Sequence, residues 1–135
     1  MTTEDYVSFN TAKLLKEKGF DELCHGYFRK DNPNDLVELA QAANWNDEPF
    51  FTSRPTLQMA MKWLRNKHNL HIEIRITNHT MSDMVNVVKY YWVMCNTETG
   101  RWCDESTVYN VRAFDKSEEA EEDAIRHALE KISHE

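Results

Sequence analysis

The chain has little of what usually marks chemistry. It holds only three glycines and three prolines in 135 residues, and the glycines are scattered. No phosphate-cradling loop or dinucleotide fingerprint can be drawn through it. The strings G-x-S-x-G, C-x-x-C and H-E-x-x-H do not occur, which removes the nucleophile elbow and the common zinc spacings. Three cysteines, Cys24, Cys95 and Cys103, are too few for a disulfide framework and read as core or strand thiols. Cys95 and Cys103 flank a turn, so they could approach each other on neighbouring strands. No stretch reaches the ~18 apolar residues of a membrane helix, and the opening MTTEDYVSF lacks the basic-then-apolar order of a secretion signal. A cytoplasmic location without membrane contact is the resulting expectation. Positive charge is also in short supply: 16 Lys and Arg face 23 Asp and Glu, a net charge of -7. That balance argues against an extended phosphate-binding surface.

What is present suits a folded chain. Hydrophobic residues make up 41% and charged residues 29% of a length that fits one core, so the expectation is a single domain over residues 1–135. Its organising stretch is SRPTLQMAMKWLRNKHNLHIEIRI, Ser53 to Ile76. Ser53 can cap a helix that has Pro55 in its first turn, where the missing amide hydrogen costs nothing. Leu57, Ala60, Met61, Leu64 and His68 then recur at helical spacing with Trp63 alongside. From Asn69 the period becomes two: Leu70, Ile72, Ile74 and Ile76 alternate with His71, Glu73 and Arg75, the pattern of a strand with one covered face.

The N-terminal segment predicts a helix over residues 9–18, capped by Ser8 and stopped by Gly19, followed by a short strand over Leu23 to Phe28. Asn32 as cap, Pro33 at the first helical position and the apolar set Leu36, Val37, Leu39, Ala40 and Ala43 predict a short additional helix. Trp45 reads as an anchor, and Phe50-Phe51 as a brief strand or a lead-in to Pro55. Thr77 to Asp83 reads as a polar connection. Val85 to Cys95 is rich in β-branched and aromatic residues and predicts a central strand, with Val85, Val87, Tyr91 and Val93 on one side and Val88, Tyr90, Trp92 and Met94 on the other. A turn ending at Gly100, a return at Arg101-Trp102-Cys103 and, after a bulge expected around Asp104-Glu105-Ser106, an extended stretch from Thr107 to Phe114 complete a meander. A capping box of Asp115 and Glu118 opens the last helix. Ala120, Ala124, Ile125, Ala128, Leu129 and Ile132 form its buried face, and its acidic first turns suit the helix dipole. The predicted fold is α+β, an antiparallel sheet of three or four strands packed against two principal helices, with an N-terminal helix and a short additional helix. Trp63, Leu64, Ile72, Ile74, Ala124 and Leu129 should be buried.

Chemistry-bearing residues do not converge in the sequence. Cys24, His25, His68, His71, Cys95, Cys103, Asp104 and Glu105 show no ligand spacing, and adjacency of Cys24 and His25 makes no nucleophile and base pair, because consecutive strand residues point to opposite faces. No catalytic, cofactor-binding or metal-binding residue is expected. Tyr90, Tyr91, Trp92 and Trp102 are the candidate interaction surface. They predict a small intracellular protein-interaction or regulatory module without catalytic activity, acting on a second copy of itself or on another protein. The first alternative is a nucleic-acid-binding accessory protein that stacks bases on these rings with Lys89, Arg101 and Arg112 beside them. The second is a small enzyme whose site the sequence does not reveal.

The segments SFNTAKLLKEKGFDELC, SRPTLQMAMKWLRNKHNLHIEI and FDKSEEAEEDAIRHALEKI, in that order, resemble a group of small uncharacterised proteins encoded by Bacteroidetes bacteria and by their phages or mobile elements. The matching positions Pro55, Thr56, Trp63, Leu64, His68, Ile72, Phe114, Asp115 and Glu119 look architectural. The resemblance implies no activity, cofactor or catalytic residue, and the 32–44 segment and the Cys95 to Cys103 turn depart from the group's pattern.

Overall fold

The computed structural model describes residues 5–80, 86–106 and 113–132, with side chains throughout except at 78–80 and 86–87. Ser8 is extended and its hydroxyl accepts the Thr11 N–H, so helix α1, Phe9–Glu17, starts with its cap filled. Gly19 ends it at φ 91, where a side chain would be strained. The Gly19 N–H then bonds the Lys16 carbonyl and the Phe20 N–H the Leu15 carbonyl, closing the helix end and folding Phe20 into the core.

Two antiparallel sheets follow, which corrects the expectation of one. In the first, β1 (Cys24–Arg29) lies between β2 (Leu36–Ala43) and β3 (Phe51–Arg54). Helix α2, Leu57–His68, leads into the second sheet, made of β4 (Leu70–Thr80), β5 (Asn86–Asn96) and β6 (Arg101–Glu105) in that order, and α3, Ser117–Lys131, closes the chain.

The additional sheet, first in chain order, draws on the segment whose composition predicts a short helix. Lys30 and Asp31 both take positive φ, the Asn32 side chain accepts the Asn34 N–H rather than capping a helix, and the Arg29 N–H bonds the Asp35 carbonyl. The chain therefore turns back and pairs Leu36, Val37 and Glu38 with Phe28, Tyr27 and Gly26. Leu, Ala, Glu and Gln favour helix locally, but β1 needs a partner on each edge, and pairing prevails. Only a 3-10 turn, Trp45–Asp47, is helical in this region. Trp45 is the anchor its isolation predicts: its Nε1 donates to the Cys24 carbonyl at 2.6 Å and its ring stacks on Tyr27, centroids 4.3 Å apart.

Helix α2 is capped by Thr56, not Ser53. The Thr56 hydroxyl accepts the Met59 N–H at 3.1 Å, while Ser53 is drawn into β3 opposite Tyr27. Asn69, left-handed at φ 58, turns the chain from α2 directly into β4. That strand continues to Thr80, so Thr77 to Thr80 are sheet rather than connection; residues 81–83 of the expected connection and 107–112 of the expected extended stretch lie outside the described residues. The capping box is not formed: Lys116 is the N-cap without a side-chain bond, and Asp115 pairs with Lys89.

Helix α1 packs on the first sheet, with Phe9 edge-on to Phe28 at 5.0 Å, and α2 and α3 pack on the second. One core joins them, with Leu15, Phe28, Trp63, Leu64, Ile72, Trp92, Met94, Ala124 and Leu129 all buried; Ile74 packs against it half-buried. No helix among the described residues is long and apolar enough to cross a membrane.

Candidate interaction surface

Strands β4 and β5 pair without interruption from Leu70 opposite Asn96 to Thr80 opposite Asn86. Side chains alternate, so Ile72, Ile74, Trp92 and Met94 face α2 and α3, while His71, Glu73, Arg75, Tyr91, Val93 and Cys95 face the other way. This alternation divides the four aromatic residues expected to act together. Trp92 is buried beneath α3, where its Nε1 donates to Asp123 Oδ2 at 2.8 Å and its ring lies 4.9 Å from His127. Tyr90 shares that side and is half-buried; its backbone exchanges two hydrogen bonds with Phe114. Tyr91 and Trp102 stand on the outer face.

A bulge places Trp102 there. Met94 is opposite Asp104 and Cys95 opposite Trp102, so Cys103 is the extra residue on β6. The bulge sends Trp102 outward and turns Asp104 towards α3, where the His127 Nε2–H donates to its carboxylate and Lys131 lies 3.6 Å away. Burial works against the Asp104 carboxylate, but the His127 hydrogen bond and charge, the Glu105 N–H and Lys131 outweigh it and hold its pKa below the ordinary value.

On the outer face the Arg75 guanidinium lies over the Trp102 ring, 4.9 Å from its centroid, and Arg75 Nε donates to Glu73 Oε1 at 2.7 Å. The hydrogen bond to Glu73 raises the Arg75 pKa further, with Tyr91, directly across the ladder, as a second acceptor. Trp102 is 53% exposed. Val93, between Glu73 and Glu105 in register, is buried. Arg75 and Glu73 belong to this surface although attention to aromatics alone passes them over; the alternation from His71 to Ile76 already puts both on the polar side. The bulge that recruits Trp102 falls at Cys103, one residue before the 104–106 bulge expected from the sequence.

The other candidates do not converge. Cys24 is buried in the first sheet, and burial pushes its thiol up to about 11, against a smaller opposing contribution from the Ser53 hydroxyl. Cys95 and Cys103 are free thiols on β5 and β6. His25 bonds the Leu39 carbonyl at 3.1 Å, and His68 packs on Trp63, its pKa lowered by burial and by Lys67. Among the described residues no three His, Cys, Asp or Glu side chains gather as a metal site would require. A groove of about 450 Å³ lies between the N-terminal segment and α3, lined by Asp5, Glu118, Glu119, Glu122 and Asp123 with Tyr6, Leu57 and Arg126. Two of these carboxylates already serve the fold: Glu122 accepts the Thr11 hydroxyl and the Ser8 N–H, and Asp123 accepts Trp92.

The chain matches no protein-family model, no curated protein and no solved structure.

Proposed function

We propose that the protein is a non-catalytic intracellular interaction module that docks a protein partner on the outer face of its second sheet, through Trp102, Arg75 and Tyr91. The observation that carries this reading is the Arg75–Trp102 stack. Trp, Arg and Tyr are the residue types that dominate binding energy at interfaces. Here Arg75 is held by Glu73 and Tyr91 and lies against a half-exposed Trp102, so less side-chain freedom is lost on docking. A protein partner suits the surface better than nucleic acid, because Glu73 and Glu105 stand beside the rings and repel phosphate. Of the cations expected to serve a nucleic-acid surface, Lys89 is engaged by Asp115 and Arg112 lies outside the described residues, which leaves Arg101, exposed at the start of β6. The resemblance to small proteins of Bacteroidetes and their phages belongs to this proposal and directs the search for the partner to such cells.

Capture experiments with tagged wild-type, Trp102→Ala and Arg75→Ala proteins test the reading. Both variants should fold with stability within about 1 kcal/mol of wild type and should lose the same co-purifying protein. Retention of that protein by both variants would contradict the assignment. A fluorescence titration with single-stranded oligonucleotides should show no binding at low salt. Binding that weakens steeply as salt rises would replace the protein-partner reading with the nucleic-acid one.

A further inference from the structure

Beyond its outer face, the second sheet has an edge that is open among the described residues. Tyr90 exchanges both backbone hydrogen bonds with Phe114, at 2.8 and 2.7 Å, and the Trp92 carbonyl accepts the Ser106 N–H at 2.9 Å. The backbone groups of the even-numbered β5 residues therefore point away from β4. Successive residues of a strand direct these groups to opposite edges, so Tyr91, Val93 and Cys95 bond towards β4, opposite Arg75, Glu73 and His71. That leaves the N–H and C=O groups of Ile72, Ile74 and Ile76 facing outward, and among the described residues no backbone group pairs with them. The strand carries no proline, glycine or bulge over its 11 residues, none of the backbone devices that blunt an edge.

We propose that this edge pairs with the same edge of a second copy of the chain, antiparallel about a twofold axis through Ile74, joining the three-stranded sheets of the two copies into one. The register follows from the residues. Only residues with outward backbone groups can exchange hydrogen bonds, which sets even positions opposite even ones. Centred on Ile74, Ile72 faces the second copy's Ile76, and Glu73 faces the second copy's Arg75 at a non-hydrogen-bonded position, where side chains approach most closely. A shift that centres the pair on Ile72 puts Glu73 against His71, and one that centres it on Ile76 puts Glu73 against His79. Only the central register matches charge with charge and isoleucine with isoleucine.

The helix layer fits the same axis. The 12 residues of α2 span about 18 Å and run back along β4 from Asn69, enough for about five or six strand residues at ~3.3 Å each. Leu70 and Ile72 are accordingly buried, whereas Ile76 is 62% exposed. A twofold axis at Ile74 lays the uncovered half of each β4 beside the helix-covered half of the other. Each Ile76 then meets the second copy's Ile72 and the flank of its α2. This pairing shares Arg75 and Glu73 with the docking reading but fails separately from it: a monomer would refute the pairing and leave docking at Trp102 untouched.

Sedimentation across a dilution series tests it on the wild-type chain, which should reach twice its 16.0 kDa mass. Arg75→Glu and Glu73→Arg each place like charges opposite one another and should weaken association by roughly tenfold or more; mixing the two single variants should restore it as a heterodimer, although the Glu73–Arg75 pair within each strand stays broken. Restoration on mixing separates a lost charge pair between copies from the pair within one strand and from a variant that is merely misfolded. For the register, Ile74→Cys in a Cys95→Ser, Cys103→Ser background should form an intermolecular disulfide, since directly opposed residues lie ~5.5 Å apart. Ile72→Cys should not, being about 13 Å along the strand from its own copy. A monomer at every concentration, a dimer indifferent to the single charge reversals, or a disulfide at 72 in place of 74 would overturn the proposal.

Discussion

The contact between Thr11 and Glu122 joins the two ends of the chain, and its strength can be measured. Thr11 is fully buried on α1, and its hydroxyl donates to Glu122 of α3 at 2.6 Å; the same carboxylate oxygen accepts the Ser8 N–H at 3.0 Å. Glu122 thus caps the N-terminus of a neighbouring helix and lies at its positive end. Thr11→Val keeps the shape and removes one hydrogen bond to a charged group, a loss of about 1.5–3 kcal/mol. Glu122→Ala removes that bond, the Ser8 bond and the favourable placement against the helix dipole, and should destabilise by roughly 3 kcal/mol. Because the two substitutions share that one bond, the double variant should be about 1.5–3 kcal/mol more stable than the sum of the single losses predicts. Urea unfolding of the four proteins, compared at equal m-values, reads this directly. Coupling below about 0.3 kcal/mol would mean that the carboxylate does not hold the α1 terminus.

Three further outcomes follow from the packing and the titratable groups. Leu64 is fully buried between the helices and the second sheet, so Leu64→Ala should lower unfolding stability by about 2–5 kcal/mol in a denaturant titration, through lost transfer energy and a cavity. Burial raises the Cys24 thiol from 9.0 to about 11, so the unfolded chain releases its proton first. Stability present below pH 9 should fall as pH rises towards 11, a decline reduced in Cys24→Ala, and Cys24 should resist a thiol reagent at pH values where the exposed Cys103 reacts. Asp104, whose pKa His127 and Lys131 hold down, contributes stability above the ordinary carboxylate pKa that is lost as pH falls through the depressed value. Acid unfolding curves of wild type and His127→Ala should therefore diverge at neutral pH and converge in strong acid.

The sequence announced the elements whose signals are local. Ser8 and Gly19 bracket α1, and the change of period at Asn69 marks the α2 to β4 junction. The alternation along β5 separates Tyr90 and Trp92 from Tyr91. Where two residues could do one task, tertiary contacts chose between them. Ser53 and Thr56 are both competent caps, and pairing of β3 with β1 took Ser53. Asp115 could have capped α3, and Lys89 on β5 took it instead. The β2 residues carry helix-forming side chains, and a turn built on Lys30, Asp31 and Asn32 made them a strand. The surface was legible in the same measure: Arg75, Glu73 and Tyr91 fall on one face by simple alternation. Trp102 joins them only because a bulge at Cys103 reverses the phase of β6, and such a reversal depends on where Asp104 finds His127 and Lys131 across the sheet.

Site-specific photocrosslinking tests the interaction reading most directly, because it captures whatever partner docks, whether or not its identity is known. A photoreactive phenylalanine analogue placed at Glu105, exposed on the same outer face as Trp102, is compared in cells with one placed at Phe50, which is 73% exposed but lies away from the second sheet. Docking on the outer face predicts one discrete heteromeric crosslinked product from position 105 and none from position 50. A discrete product from position 50 with nothing from position 105 would contradict it.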